Sequence, residues 1–267
     1  MIQHDLIARV RERCRADGDV RAALMYGSFA AGEGDAHSDV EFWLFLTPAA
    51  RAALDPAAWC AAVAPVNLVL ENEFGTHVAL FPGPVRGEFH FATTADIASV
   101  AGWPARGAAV EAMVVVDRDG ALTPVLRALP ERPAVPRSPA EIADLCGRFA
   151  NWLVLAAHVT ARGEHLRAQD ALAHAARHLL WMARVAEGST AHYLTPSRAA
   201  EAELPARTVA AAGAGTLAAL WEEGRERWRE LAARTGGEPP AALFAELDRL
   251  AAAATARPAS PWSPGRP

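Results

Sequence analysis

Apolar positions recur along the chain with two different periods, and the change of period divides it. Ile2, Leu6, Ile7, Val10 and Cys14 fall three to four apart and predict an amphipathic helix over residues 2–16. Short apolar runs bounded by Gly and polar residues then predict strands at 20–26, 40–46, 66–70, 77–81, 87–93 and 113–116. Between them, the Ala-rich stretch 48–64 predicts one helix, with Thr47 as its cap and Pro48 at its first position. Strands mixed with helices in this way imply an α/β or α+β unit. The stretch PERPAVPRSP at 130–139 holds four Pro in ten residues and reads as a linker. Ser138-Pro139-Ala140-Glu141 is then a capping box, and strand signals end. Helices are predicted at 140–162, 166–187, 197–202, 206–233 and 239–254, which together describe a helical bundle. The expected division is therefore 1–130 and 139–254, followed by a frayed, Pro-rich tail at 255–267.

Composition narrows the classes open to such a chain. Its 267 residues are 52% hydrophobic and 21% charged, too apolar for a disordered protein. No apolar run approaches the ~20 residues that cross a bilayer, so no membrane association is expected. The formal net charge of −5 argues against nucleic acid as a partner. The first helix carries charges throughout and lacks the apolar stretch of a secretory signal. Cys14, Cys60 and Cys146 are far apart and show no metal or disulfide spacing, so a reducing cytoplasm is expected. About a quarter of the residues are Ala, and all 26 basic residues counted as Lys or Arg are Arg. No chemistry that needs a Lys is available to this protein.

One segment concentrates candidate chemistry. In YGSFAAGEGDAHSDVEFWLF, residues 26–45, a strand ends in Gly27-Ser28, a short helix and Gly-rich turn follow, and the next strand carries Asp39 and Glu41. Residues two apart on a strand share a face, about 7 Å apart, so the two carboxylates stand side by side. Like charges at that spacing call for a cation, and Mg²⁺ with phosphate oxygens is the natural one. Gly27 and Ser28 offer backbone N–H groups and a hydroxyl to phosphate. Phe42, Trp43, Leu44 and Phe45 suggest that the strand bearing the acids is well buried, where unpartnered acids are costly.

Gly-Ser followed eleven residues later by an Asp-x-Asp/Glu pair resembles the nucleotidyltransferase superfamily that includes DNA polymerase β. The wider wording MYGSFAAGEGDAHSDVEFWLF, RGEFHF at 86–91 and AEGSTAHYLTPSR at 186–198 resembles the lincosamide nucleotidyltransferases of the LinB type. The resemblance implies an α+β fold: a polymerase β-like mixed-sheet domain followed by a helical bundle for substrate binding or dimerisation. It implies transfer of AMP from ATP to a hydroxyl of lincomycin or clindamycin, giving antibiotic resistance, with Mg²⁺ ions, two in number, as cofactor. Asp39 and Glu41 would bind metal and nucleotide, and Gly27 and Ser28 would hold the triphosphate. Glu88 would be the third carboxylate, as general base, metal ligand or both. A homodimer is also implied. Any side-chain cation on the phosphates must be an Arg.

Other residues carry weaker expectations. Glu33, Asp35, Asp117 and Asp119 read as turn residues. His90 is a candidate for substrate contact, and so are Arg177, Trp181, His192 and Tyr193 in the helical half, as a wall facing the acceptor. His174 and His178 have metal-ligand spacing but lack the acidic residue of the HExxH pattern. Arg225–Arg229 (RERWR) reads as a solvated helix face. An aminoglycoside, another hydroxyl compound or a protein remains open as acceptor. So does a binding module without catalysis, against which the carboxylate set argues.

Overall fold

Helix α1 (Ile2–Ala16) forms where the three-to-four spacing predicts it and turns Leu6, Ile7, Val10 and Cys14 inward. It belongs to the first of two units, residues 1–133 and residues from 134 on, in the computed structural model, which describes residues 1–256. The expected tail thus falls almost wholly outside the described residues.

The first unit is built on a six-stranded sheet in the order β3-β4-β5-β2-β1-β6. Its strands are β1 (Val20–Tyr26), β2 (Val40–Leu46), β3 (Leu68–Glu71), β4 (His77–Phe81), β5 (Val85–Thr93) and β6 (Val114–Asp117). Four neighbouring pairs are antiparallel, whereas β2 and β5 run parallel. The five-residue helix α2 (Gly27–Ala31) follows β1. Between β2 and β3 lie α3 (Pro48–Ala53) and α4 (Pro56–Val63), where the sequence predicts one helix. The break is at Asp55. A residue before Pro is driven out of the helical region, so Asp55 turns extended and caps α4 by accepting from the N–H groups of Ala57 and Ala58.

Burial alternates over the first part of β2 and most of β5, whereas Leu44, Phe45 and Leu46 at the end of β2 are all buried. Val40, Phe42 and Leu44 on β2 and Phe89 and Phe91 on β5 point into the core, where Trp59 of α4 packs on both phenyl rings of β5. The opposite face carries Glu41, Trp43, Glu88 and His90, all half-buried. The strand is well buried, as the run at 42–45 suggests, while Glu41 itself is half-buried on the face opposite the Phe42 and Leu44 side chains. A 3₁₀ segment (Thr94–Gly102) leads from β5 to Trp103, which stacks on Trp43 with centroids 5.5 Å apart. Helices α5 (Val110–Met113) and α6 (Leu122–Ala128) flank β6. Asp119 is a turn residue and pairs with Arg21, whereas Asp117 is the last residue of β6, where it accepts from the N–H groups of Leu122 and Thr123.

The second unit is helical. Helix α7 (Pro139–Ala161) opens with the predicted capping box, in which the N–H groups of Ser138 and Arg137 hold Glu141 down at about 2. Next come α8 (His165–Glu187), α9 (Ala200–Glu203), α10 (Ala206–Ala214), α11 (Leu217–Thr235) and α12 (Ala241–Ala256). The single helix predicted over 206–233 is two, because Gly215 takes φ 58° and Thr216 caps α11. The RERWR stretch is only partly a solvated face. Arg227 is 2% exposed and bonded to Glu223 at 2.8 Å, Glu187 at 2.6 Å, Glu230 at 3.1 Å and Thr208 at 3.2 Å, and Trp228 is buried. Burial of this cation is tolerated because its five donors meet three carboxylates and a hydroxyl. No helix among the described residues is long and apolar enough to cross a membrane.

Candidate active site

Strand register assembles the acidic face. Tyr26, Glu41 and Glu88 are direct partners across β1, β2 and β5, and Leu24, Trp43 and His90 form the next row. Adjacent strands lie about 4.8 Å apart, so residues 47 apart in sequence, Glu41 and Glu88, become neighbours. Asp39 lies one residue before β2 begins, at the end of a turn built by Asp35, whose carboxylate accepts from Ser38 Oγ and the His37 N–H. Glu88 is on an interior strand, not a sheet edge.

Gly27 is fitted against Glu41. Its φ is +69°, and a Cβ placed there would lie 1.5 Å from Glu41 Oε2. Only Gly allows both this left-handed turn and the carboxylate packed beneath it. Ser28, the second residue of α2, is 6% exposed.

Arg86 holds the remaining two acids together. Its Nη1 donates to Asp39 Oδ2 at 2.5 Å, and its Nη2 pairs with Glu88 Oε1. Burial alone would depress the guanidinium, but these hydrogen bonds and charges outweigh it and the net shift is upward. Tyr26 completes the cluster, its hydroxyl 3.5 Å from Glu88 Oε2 and 3.0 Å from His90 Nε2. Burial first, then the charges of Glu88 and Glu41, push the Tyr26 phenol upward, so it stays a neutral donor. Burial lowers His90, which sits tilted on Trp43 with centroids 5.0 Å apart. Trp43 Nε1 is buried without a hydrogen-bond partner among the described residues.

Among the described residues, no group of three or more His, Cys, Asp or Glu side chains is arranged to hold a metal ion. The guanidinium of Arg86 takes two of the three expected ligands instead. The donor set nevertheless suits a hard divalent cation: carboxylate oxygens only, with Asp39 and Glu88 partly hydrated at side-chain exposures of 35% and 21%.

Sequence reasoning singled out Asp39, Glu41, Glu88, Gly27, Ser28 and His90, and all except Ser28 and Asp39 are tied into one patch by strand register or direct contact; Asp39 joins through Arg86. Arg86 and Tyr26 were missed as site residues. The signal for Arg86 was present, since it stands two residues before Glu88 on the same strand and so shares its face.

The second unit has a cavity of about 540 Å³, whose lining includes Asp144, Arg148, His178, Trp181, Tyr193 and Leu194. Of the four residues expected on an acceptor wall, Trp181 and Tyr193 line it, and Trp181 Nε1 donates to the Tyr193 carbonyl at 2.7 Å. Arg177 is exposed elsewhere on α8, and His192 is turned to Glu203. The loop between α8 and α9 is clasped by Arg184, which is fully buried and donates to the carbonyls of Ser189, Pro196 and Arg198 and to Glu203. His174 stacks on Trp152, and His178 Nδ1 donates to the His174 carbonyl at 2.8 Å, so the two rings serve separate packing contacts.

Residues 139–211 match a family model described as the lincosamide nucleotidyltransferase-like C-terminal domain, and this segment is similar to that family. No curated protein matches the chain. Solved structures that match include an aminoglycoside 6-adenyltransferase from Bacillus subtilis, 10% identical, with 95% of this chain and 97% of that chain covered at a TM-score of 0.42.

Proposed function

We propose that the chain is an antibiotic nucleotidyltransferase that moves AMP from ATP to a hydroxyl of a lincosamide such as lincomycin or clindamycin. The observation that carries this is the register of β1, β2 and β5, which sets Glu41 beside Glu88 on one accessible face, with Gly27 packed on Glu41. Asp39, Glu41 and Glu88 would hold Mg²⁺. When bound, the metal would offset charge on the phosphates and polarise the α-phosphorus. Gly27 and Ser28 hold triphosphate oxygens through backbone N–H groups. The acceptor oxygen bonds to the α-phosphorus in line, the bond to the bridging oxygen breaks, and pyrophosphate leaves. Glu88 takes the hydroxyl proton. Tyr26 donates to Glu88 on the oxygen Arg86 does not hold, and His90 Nε2 in turn holds the Tyr26 hydroxyl.

The match at 139–211 supports a lincosamide as acceptor. The lining of the helical cavity agrees with a bulky, weakly charged ligand: its aromatic residues are His178, Trp181 and Tyr193, and its acids are already engaged. Glu141 caps α7, and Asp144 pairs with Arg148 at 2.9 Å. The homodimer implied by the sequence resemblance belongs to the same proposal, and light scattering tests it.

Purified protein with ATP, Mg²⁺ and clindamycin is expected to release pyrophosphate and to increase the drug's mass by one AMP unit. Kanamycin and other aminoglycosides in parallel are expected to give neither. Asp39→Ala should lower turnover by at least about 10²-fold, and full activity in that variant would overturn the mechanism. Metal-dependent ATP binding without turnover on any acceptor would make the protein a binding module instead.

A further inference from the structure

We propose that the cavity of the helical unit seats the acceptor antibiotic, and that His178 Nε2 accepts a hydrogen bond there from a hydroxyl or amide N–H of the ligand. The inference rests on the nucleotidyltransferase reading above and deepens it by naming the group that orients the acceptor.

His178 is 8% exposed, yet its ring forms part of the cavity wall. A carbonyl only accepts, so Nδ1, which lies 2.8 Å from the His174 carbonyl, must carry a proton. Burial lowers the proton affinity of the ring despite that bond, and the charges of Arg148 on α7 and of His174 and Arg177 on α8 add to the effect. A neutral imidazole with its proton on Nδ1 presents a bare lone pair at Nε2. No donor among the described residues meets that lone pair, and it is not shut off from solvent. The His174 carbonyl lies inside α8, where the backbone N–H four residues on already answers it. The extra bond from Nδ1 therefore serves to fix the tautomer.

The wall around this acceptor is aromatic and held in place. Trp181 meets His178 edge to face with centroids 4.9 Å apart, and its Nε1 is pinned on the Tyr193 carbonyl. Tyr193 tilts against Trp181 at 6.3 Å, and Arg184 holds its loop by the carbonyls of Ser189 and Pro196 on either side. Leu145 adds an aliphatic surface. The volume of about 540 Å³ lies in the range of sites that take drug-sized molecules, about 300–1,000 Å³. A ring compound can bury its apolar faces against such walls in several orientations. One fixed acceptor selects among them, because a ligand with no donor at that point leaves a buried lone pair unpaired.

The test uses the full chain and three variants, each first checked for native circular dichroism. Clindamycin is titrated by calorimetry, and a non-hydrolysable ATP analogue with Mg²⁺ is titrated separately. His178→Asn keeps a donor within reach of the His174 carbonyl and removes the cavity acceptor. His178→Phe keeps the ring and removes both nitrogens, and it carries the test if His178→Asn does not fold. His178→Gln brings an amide oxygen to the neighbourhood of Nε2. Clindamycin binding should weaken about tenfold in His178→Asn and His178→Phe, the scale of one hydrogen bond, and by no more than about threefold in His178→Gln. Analogue binding should be the same in all four proteins. Clindamycin affinity within about twofold of wild type in the Asn or Phe variant overturns the inference, as does a Gln variant as weak as the Phe variant. A parallel loss of analogue binding also overturns it, since the effect would then be structural. If wild type binds and modifies clindamycin and the variants match it, the role of His178 alone fails. If wild type binds neither probe, the nucleotidyltransferase reading fails and takes the inference with it.

Discussion

At Gly27 a single missing methyl decides whether the site can exist. Replacement by Ala meets two obstacles at once: the left-handed φ of +69°, and Glu41 Oε2 at 1.5 Å from the new Cβ. The backbone penalty is about 1 kcal/mol, and the Glu41 carboxylate at the end of its side chain must also shift. Gly27→Ala is therefore expected to lower the melting temperature by several degrees and turnover by at least about 10²-fold, measured by calorimetry and pyrophosphate release. A variant with normal turnover would separate Glu41's position from catalysis. Gly27, Asp39 and Glu41 were legible in the sequence because they lie within sixteen residues and follow strand geometry. Arg86 and Tyr26 were not, because their meaning depends on which strands become neighbours. Nothing local to Arg86 announces that β5 lies parallel to β2.

Whole helices and strands were legible to within two or three residues wherever periodicity was strong, as in α1, α7 and α8. The misjudged elements have local causes: Pro56 ends one predicted helix, Gly215 ends another, and the Arg227 side chain turns inward from a stretch that looks uniformly charged. Period and composition cannot reveal that three acids from α8 and α11 await that Arg. Arg227→Met keeps the bulk and removes the charge; about 3 kcal/mol should be lost in urea unfolding, the low end for breaking a buried pair, because Glu187 and Glu230 stay partly hydrated. The loop between α8 and α9 carries its own pH dependence. Arg184 and then Ser189 hold Glu203 at about 2, below the ordinary 4.5. A carboxyl depressed by folding stabilises fully above pH 4.5 and loses that contribution as pH falls towards 2. Glu203→Gln should flatten the acid limb of the stability profile in this window, and an unchanged limb would show that the clasp does not depend on this charge.

Each unit has its own apolar core, and the three cysteines are distributed between them. Cys14 and Cys60 lie in the core of residues 1–133, and Cys146 lies in that of the helices. Burial pushes all three thiols up to about 12, so none is a ready nucleophile in the folded protein. Thiol labelling along a urea titration should therefore read the two units separately, by mass of the labelled peptides. Labelling of all three in native buffer would contradict the packing described. The same labelling can follow assembly, and there the parallel pairing of β2 with β5 has its largest effect. Every element from α3 to β4 must be traversed before Glu88 can reach Glu41, so this contact closes one of the longer loops in the unit and carries a corresponding entropic delay. A nascent chain that has emerged only as far as β2 holds its acids without their partners. The capacity to bind a divalent ion should thus arise late in refolding, together with the protection of Cys60, and not as an early local event.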